Sequence, residues 1–170
     1  MSMSVIAVLV VFPAVMAYAA ASDIVSMTIS NKLCLFLVAG FALCAAAVGL
    51  SWTALAWHLA AGMLVLAVSF GLFARGWIGG GDAKLAAATA LWFGFEPLLA
   101  YILIASFAGG ILTLALLKLR TLPLPSPALG WSWARRLHDK DEGIPYGVAL
   151  AFAALAILPQ TPIWRAAIGI

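Results

Sequence analysis

The chain has 170 residues, 66% of them hydrophobic and 9% charged, with a formal net charge of +3. A soluble domain is nearer half apolar and about one quarter charged, and a chain this short has too little interior to hide so much apolar surface. The composition therefore excludes a soluble globular domain and makes the lipid bilayer the expected partner; the few positive charges read as topology signals, and no nucleic-acid partner is expected.

A membrane-spanning helix needs about 20 apolar residues, with a range of about 17–25. The first such run is Val5–Ser22, which stops at Asp23. Ala17-Tyr18-Ala19 resembles a signal-peptide cleavage site, but Met1-Ser2-Met3-Ser4 carries no Lys or Arg, so the run is read as a retained first span. The polar stretch Asp23–Lys32 leads to a second span, Leu33–Leu50. Ser51-Trp52-Thr53 connects it tightly to a third, Ala54–Ala74, closed by Arg75. The segment Gly76-Trp77-Ile78-Gly79-Gly80-Gly81-Asp82 is too glycine-rich for an ordinary helix. Leu85–Phe95 is a fourth apolar stretch that meets Glu96-Pro97, and Leu98–Leu117 is a fifth that ends at Lys118 and Arg120. Thr121–Gly143, with Pro123, Pro125 and Pro127, is the long loop. Ile144–Leu158 is the sixth span, extendable to Trp164. The expected fold is all-α: one domain over residues 1–170, with six transmembrane helices in a bundle.

With six spans, Lys32, Arg75, Lys84, Lys118, Arg120, Arg135, Arg136 and Lys140 fall on one side and Arg165 alone on the other. Lys and Arg concentrate in cytoplasmic loops, so that side is read as cytoplasmic and both termini as outside. Trp52, Trp92 and Trp164 fall near the outer ends, and Trp77, Trp131 and Trp133 near the inner ends, as two interfacial belts would have them. The loop tryptophans with Arg135 and Arg136 read first as a segment lying among the headgroups, and second as a substrate-docking surface. Cys34 and Cys44 would lie about 15 Å apart on a helix, too far for a disulfide. No CxxC or Cys/His cluster suggests a metal, and no cofactor is implied.

Among the acidic residues, Asp139, Asp141 and Glu142 belong to the charged loop, and Glu96 lies at an outer turn. Asp23 and Asp82 each border a long apolar segment, both on the cytoplasmic side. A helix from Val5 to Asp23 rises about 27 Å, but one from Asp82 to Phe95 only about 20 Å. Against a hydrocarbon core about 30 Å thick, this places Asp82 below the surface or the membrane locally thinned. Gly79, Gly80 and Gly81 let the backbone turn sharply and come close to a helix or an extended substrate. An ionisable residue at membrane depth is a functional candidate. Two neighbouring carboxylates share a proton, so one can activate water while the other polarises a carbonyl. Capping offers a plainer reading: Asp82 is well placed as an N-cap, whereas Asp23 is at the unfavourable end of its helix. On these residues alone catalysis, a proton or ion pathway and simple capping all stay open.

Gly79-Gly80-Gly81-Asp82-Ala83-Lys84-Leu85 resembles the GGGDxK(L) segment of the bacterial type IV prepilin peptidases, aspartyl proteases of the GxGD type. Asp23-Ile24-Val25-Ser26-Met27-Thr28-Ile29-Ser30-Asn31 is similar to the family's Asp-x5-Ile-x-Asn motif, and Ile144-Pro145-Tyr146-Gly147-Val148-Ala149 to its Pro-Tyr-Gly-x-Ala stretch. The resemblance implies that Asp23 and Asp82 are the catalytic pair and that a prepilin or pseudopilin is the substrate. It also implies that the active site faces the cytoplasm from a bacterial inner membrane. Ser30 stands where the family often has proline, which should change the rigidity of that turn. The insertion with paired CxxC motifs that accompanies N-methyltransferase activity in long members has no counterpart here, so methylation is not expected. The chain looks like the short peptidases of Flp/Tad-type pilus systems.

The supporting residues carry looser expectations. Lys84 either keeps the Asp82 site electropositive or snorkels to the headgroups. Asn31 is expected to bond backbone in the loop after Asp23. His58 is expected at the outer interface, away from the pair. Tyr146 begins the sixth helix on the cytoplasmic side, where it either lines the active site or does not. The rival readings are a small transporter or proton channel, a non-catalytic pilus assembly factor, and a signal-peptide-peptidase-like enzyme. The last needs a Tyr-Asp motif that Phe70-Gly71-Leu72-Phe73 lacks.

Overall fold

The structure, a computed structural model, describes residues 3–169, without the side chains of Met3, Ser4 and Ala7. The start of the uncharged N-terminal tract, Met1 and Ser2, and the last residue, Ile170, lie outside it. The described residues form helices and turns only. They are α1 (Met3–Ile6), a π-helical turn (Ala7–Val11), α2 (Phe12–Ser26), α3 (Asn31–Ala47), α4 (Trp52–Ala74), α5 (Gly80–Phe93), α6 (Leu98–Leu119), α7 (Ser132–His138), α8 (Tyr146–Ile157) and α9 (Pro162–Ile168).

Each helix boundary has a local cause. Pro13 in the first turn of α2 has no N–H to give the preceding turn, and the π-helical turn stands directly before it. Ser30 and Ser51 cap α3 and α4 by accepting from the amides of Leu33 and Ala54. The α4 helix ends in a Schellman turn: Gly76 takes φ +74°, its amide bonds the Phe73 carbonyl, and the Trp77 amide bonds that of Leu72. That turn, followed at once by Gly79 as N-cap of α5, explains why residues 76–82 do not form a continuous helix.

Three helical stretches are long and apolar enough to cross a membrane: Val8–Ser26, Trp52–Ala74 and Leu98–Leu119. A fourth is the pair Tyr146–Gln160 and Pro162–Ile168, bent by 54°, where Thr161 caps α9. The α3 helix, with 17 residues, is shorter, and α5 has only 14, about 21 Å of rise. The six predicted apolar stretches all appear as helices, but only three or four meet the length and hydropathy of a span.

The short α5 helix sits at the centre. It is buried from Ala87 through Phe93, with α4, α3 and α8 packed around it, while α8 also packs against α2 and α6. Small residues allow this closeness: a Cβ on Gly62 of α4 would lie 3.2 Å from Leu91 Cβ. Trp92 is fully buried between Phe12 and Phe41 and donates from Nε1 to the Leu37 carbonyl at 2.9 Å. It therefore belongs to the core and not to the outer aromatic belt expected for it. His58 is likewise buried, its Nδ1 2.8 Å from the Leu91 carbonyl, because α4 runs against α5 there. Cys34 and Cys44 are free and buried. Glu96, expected to be solvated at an outer turn, is instead paired: Arg165 donates to both its carboxylate oxygens, at 2.9 and 2.8 Å.

Candidate active site

The first span runs on to Ser26, so Asp23 lies inside α2, one turn before its end, and is only 5% exposed. The chain then reverses abruptly. Met27 takes a left-handed conformation, φ +52°, and its amide bonds the Asp23 carbonyl. Such a conformation costs a residue other than glycine about 1–3 kcal/mol and needs support from its surroundings. Ser22 Oγ supplies some by donating to the Thr28 carbonyl at 2.8 Å, and Ser26 Oγ by pairing with Thr28 Oγ1 at 2.7 Å. The turn delivers Ile29, which is buried, back against the helix bundle.

Ile29 brings the motifs together. A Cβ on Gly81 would lie 3.1 Å from Ile29 Cβ, and a Cβ on Gly147 only 2.7 Å from Ile29 Cδ1. Glycines from two distant segments thus close on one side chain, and any larger residue at either would push them apart. The Asp23 carboxylate is fixed from the same direction: Oδ2 accepts from the Gly147 amide at 2.7 Å. Gly147 is in the first turn of α8, where amides have no intrahelical partner and the helix dipole favours an anion.

Asp82 is not the N-cap residue of α5, the position that the plainer capping reading gave it. Gly79 is the N-cap, and Asp82 sits in the first turn with Oδ2 directed back to the Gly79 backbone, as a capping-box acid is. A Cβ on Gly79 would come within 2.8 Å of that oxygen. Asp23 and Asp82 line one cleft of about 180 Å³, whose other walls are Met27, Thr28, Ile29 and Gly79–Gly81. Two carboxylates thus share a confined space with bare backbone beside them. Among the described residues, the buried side-chain oxygens without a hydrogen-bond partner are Asp82 Oδ1 and Tyr101 Oη.

A family model for the type IV leader peptidase family matches residues 10–114. The chain belongs to the type IV leader peptidase family. It is a peptidase by that membership. No curated protein and no solved structure is similar enough to this leader peptidase to be matched. The matched residues include Asp23 and Asp82; Gly147 and Tyr146 lie beyond them, Gly147 reaching Asp23 through its amide and Tyr146 lining the neighbouring cavity.

The other predicted residues divide. Gly79, Gly80 and Gly81 wall the cleft. Tyr146 lines a separate cavity of about 350 Å³ that Asp82 also lines, and its hydroxyl donates to the Ala105 carbonyl at 3.2 Å. Lys84 Nζ donates to Asn31 Oδ1 at 2.8 Å, on a groove between α3 and α4 to which neither aspartate contributes. Lys84 is therefore engaged in joining α5 to α3, and Asn31 receives a side chain in place of the loop backbone expected for it. The backbone is served by Ser30, which gives the residue standing in the proline's place a definite structural task. Ile29, Gly147 and Tyr101 were not among the predicted site residues. For the first two the signal was present, since both belong to the motifs.

Proposed function

We propose that this leader peptidase is an intramembrane aspartyl endopeptidase that removes the leader from prepilin- or pseudopilin-like substrates. It would act at the cytoplasmic face of a bacterial inner membrane. The observation that carries the reading is the shared cleft: two carboxylates from distant segments, at the same end of the bundle, walled by glycine backbone. Two carboxylates lining one small cleft do not readily both ionise, and in this reading the pair holds one proton. The ionised partner takes a proton from water, whose oxygen attacks the scissile carbonyl, while the protonated partner donates to the carbonyl oxygen. The proton taken from water then passes to the amide nitrogen as the C–N bond breaks. The reaction so written uses no metal or cofactor, and the product is not methylated.

In this reading α2, α3, α4, α5, α6 and the bent α8–α9 pair make six crossings, with both termini outside and the Lys/Arg-rich end in the cytoplasm. The bilayer thins around the short α5. The substrate presents a basic leader followed by an apolar helix, and its junction must be extended to be cut, because a helical peptide bond is protected by its own hydrogen bonds. The test is purified protein in liposomes with a prepilin, read by mass spectrometry. The expected product is a leader-free, unmethylated pilin. Proton or ion flux through the liposomes without cleavage would favour the transporter or channel reading.

A further inference from the structure

The cavity of about 350 Å³ beside Asp82 is separate from the cleft that both aspartates line. Its walls are almost wholly apolar, from Leu64, Val68, Ala86, Ile102 and Leu150. Its two banks are α4, which packs on α5, and α6, which packs on α8. Leu64, Val68 and Ile102 on these banks are 50%, 57% and 44% exposed, so the cavity opens sideways, toward lipid, and not into the cytoplasm. Yet the two buried side-chain oxygens without partners, Asp82 Oδ1 and Tyr101 Oη, both belong to residues of this cavity. Tyr101 is 1% exposed, packs edge-on against Phe93, and shares the cavity with Asp82 and Tyr146. Thr89 Oγ1 lies beside its hydroxyl without meeting hydrogen-bond geometry to it, and donates to the Leu85 carbonyl.

A buried, unpaired hydroxyl costs about 1–3 kcal/mol, which a ligand's polar group can recover. An apolar space of this size takes apolar side chains. A membrane helix opened for cutting supplies both needs. Its side chains are apolar, and the carbonyls released from its ladder must find donors, since lipid offers none.

We propose that this lateral cavity, between α4 and α6, receives the first apolar residues on the C-terminal side of the cut bond, with Tyr101 as the positioning residue that donates to a carbonyl of the opened substrate helix. The proposal rests on the leader-peptidase reading above and locates where the retained, membrane-embedded part of the substrate lies. Entry is from the bilayer between α4 and α6, and Asp82 stands at the cytoplasmic end of the path.

Two measurements test it. In the first, the Asp23→Asn variant in liposomes carries a photo-crosslinking phenylalanine analogue at Ile102, or at Val38 in the groove between α3 and α4 as a control. The probe is a peptide with a basic leader and an apolar helix. Ile102 should crosslink to the first residues after the leader and Val38 should not. Equal yields, or crosslinks from Ile102 only to the leader or not at all, overturn the proposal. Because this assay reads binding, it gives an answer even if the wild type cuts nothing, a result that would defeat the peptidase reading alone. In the second, Tyr101→Phe should leave thermal stability unchanged or raised, because the lost hydroxyl has no partner. It should raise KM for cleavage about tenfold with kcat little changed. Unchanged KM would mean that the cavity holds only water and would overturn the role of Tyr101.

Discussion

Asp23 Oδ2 accepts a 2.7 Å hydrogen bond from the amide of Gly147, 124 residues further along the chain. The bond ties the last turn of α2 to the first turn of α8, and Ile29 is held between Gly147 and Gly81 of α5. One aspartate is thereby positioned by a helix start outside its own motif, and the other by the turn that begins its own helix.

Substituting Gly147 by alanine should be severe for activity. The new Cβ would lie 2.8 Å from Asp23 Oδ2 and 2.7 Å from Ile29 Cδ1, so the carboxylate must move. A displacement of about 1 Å in a catalytic group can cost on the order of 100-fold. Leader cleavage should fall by about that factor, while Gly110→Ala, where a Cβ meets nothing within 4 Å, should leave the rate unchanged.

Ile29→Ala should cost both stability and activity. Truncating a buried isoleucine destabilises by about 2–5 kcal/mol. Ile163→Ala, fully buried in α9 and outside the cleft, supplies a control of the same chemistry. Thermal melts should fall comparably in the two variants, but cleavage at a temperature where both are folded should fall only for Ile29→Ala.

Lys84→Met should have little effect on catalysis. Its ammonium is engaged with Asn31 Oδ1, and its groove excludes both aspartates. Loss of one exposed hydrogen bond costs about 1 kcal/mol, and Asn31→Leu should cost no more when added to it. The pH profile of cleavage should be unchanged; a shifted profile would restore Lys84 as an electrostatic partner of Asp82.

Much of this was legible in the sequence. Lengths of apolar runs gave the helices, the glycines gave the break before α5, and the apolar segments they border singled out the two aspartates that the cleft brings together. Burial was not legible. Leu35, Leu43, Phe107 and Leu114 are exposed while Leu37, Phe41 and Leu85 are buried, with no polar face to separate them. In lipid the outside of a bundle is as apolar as its interior, so hydropathy carries no inward direction. That is why Trp92 and His58 were expected at the interface, and why Tyr101 gave no signal within an apolar run. The pairing of Lys84 with Asn31 depends on how α3 and α5 cross, which spacing along one chain does not encode.

Arg120→Ala should loosen the long loop between α6 and α8. Arg120 is buried and donates to the carbonyls of Leu137 and Gly143, while Arg136 donates to that of Val25. Losing a charged donor to two carbonyls costs on the order of 2–3 kcal/mol, drawn from the docking of this loop. Limited trypsin digestion should therefore cut at Arg135 and Arg136 faster than in the wild type, and at the same rate if the loop is held by other contacts.

The central claim is that Asp23 and Asp82 form one catalytic unit, and the most direct measurement compares Asp23→Asn, Asp82→Asn and the double variant. Each should be recovered from membranes as a folded protein. Leader removal from a prepilin in liposomes should be lost in either single variant to the same extent as in the double, since residues that act together are not additive. Cleavage retained at a wild-type rate by either single variant would contradict the account.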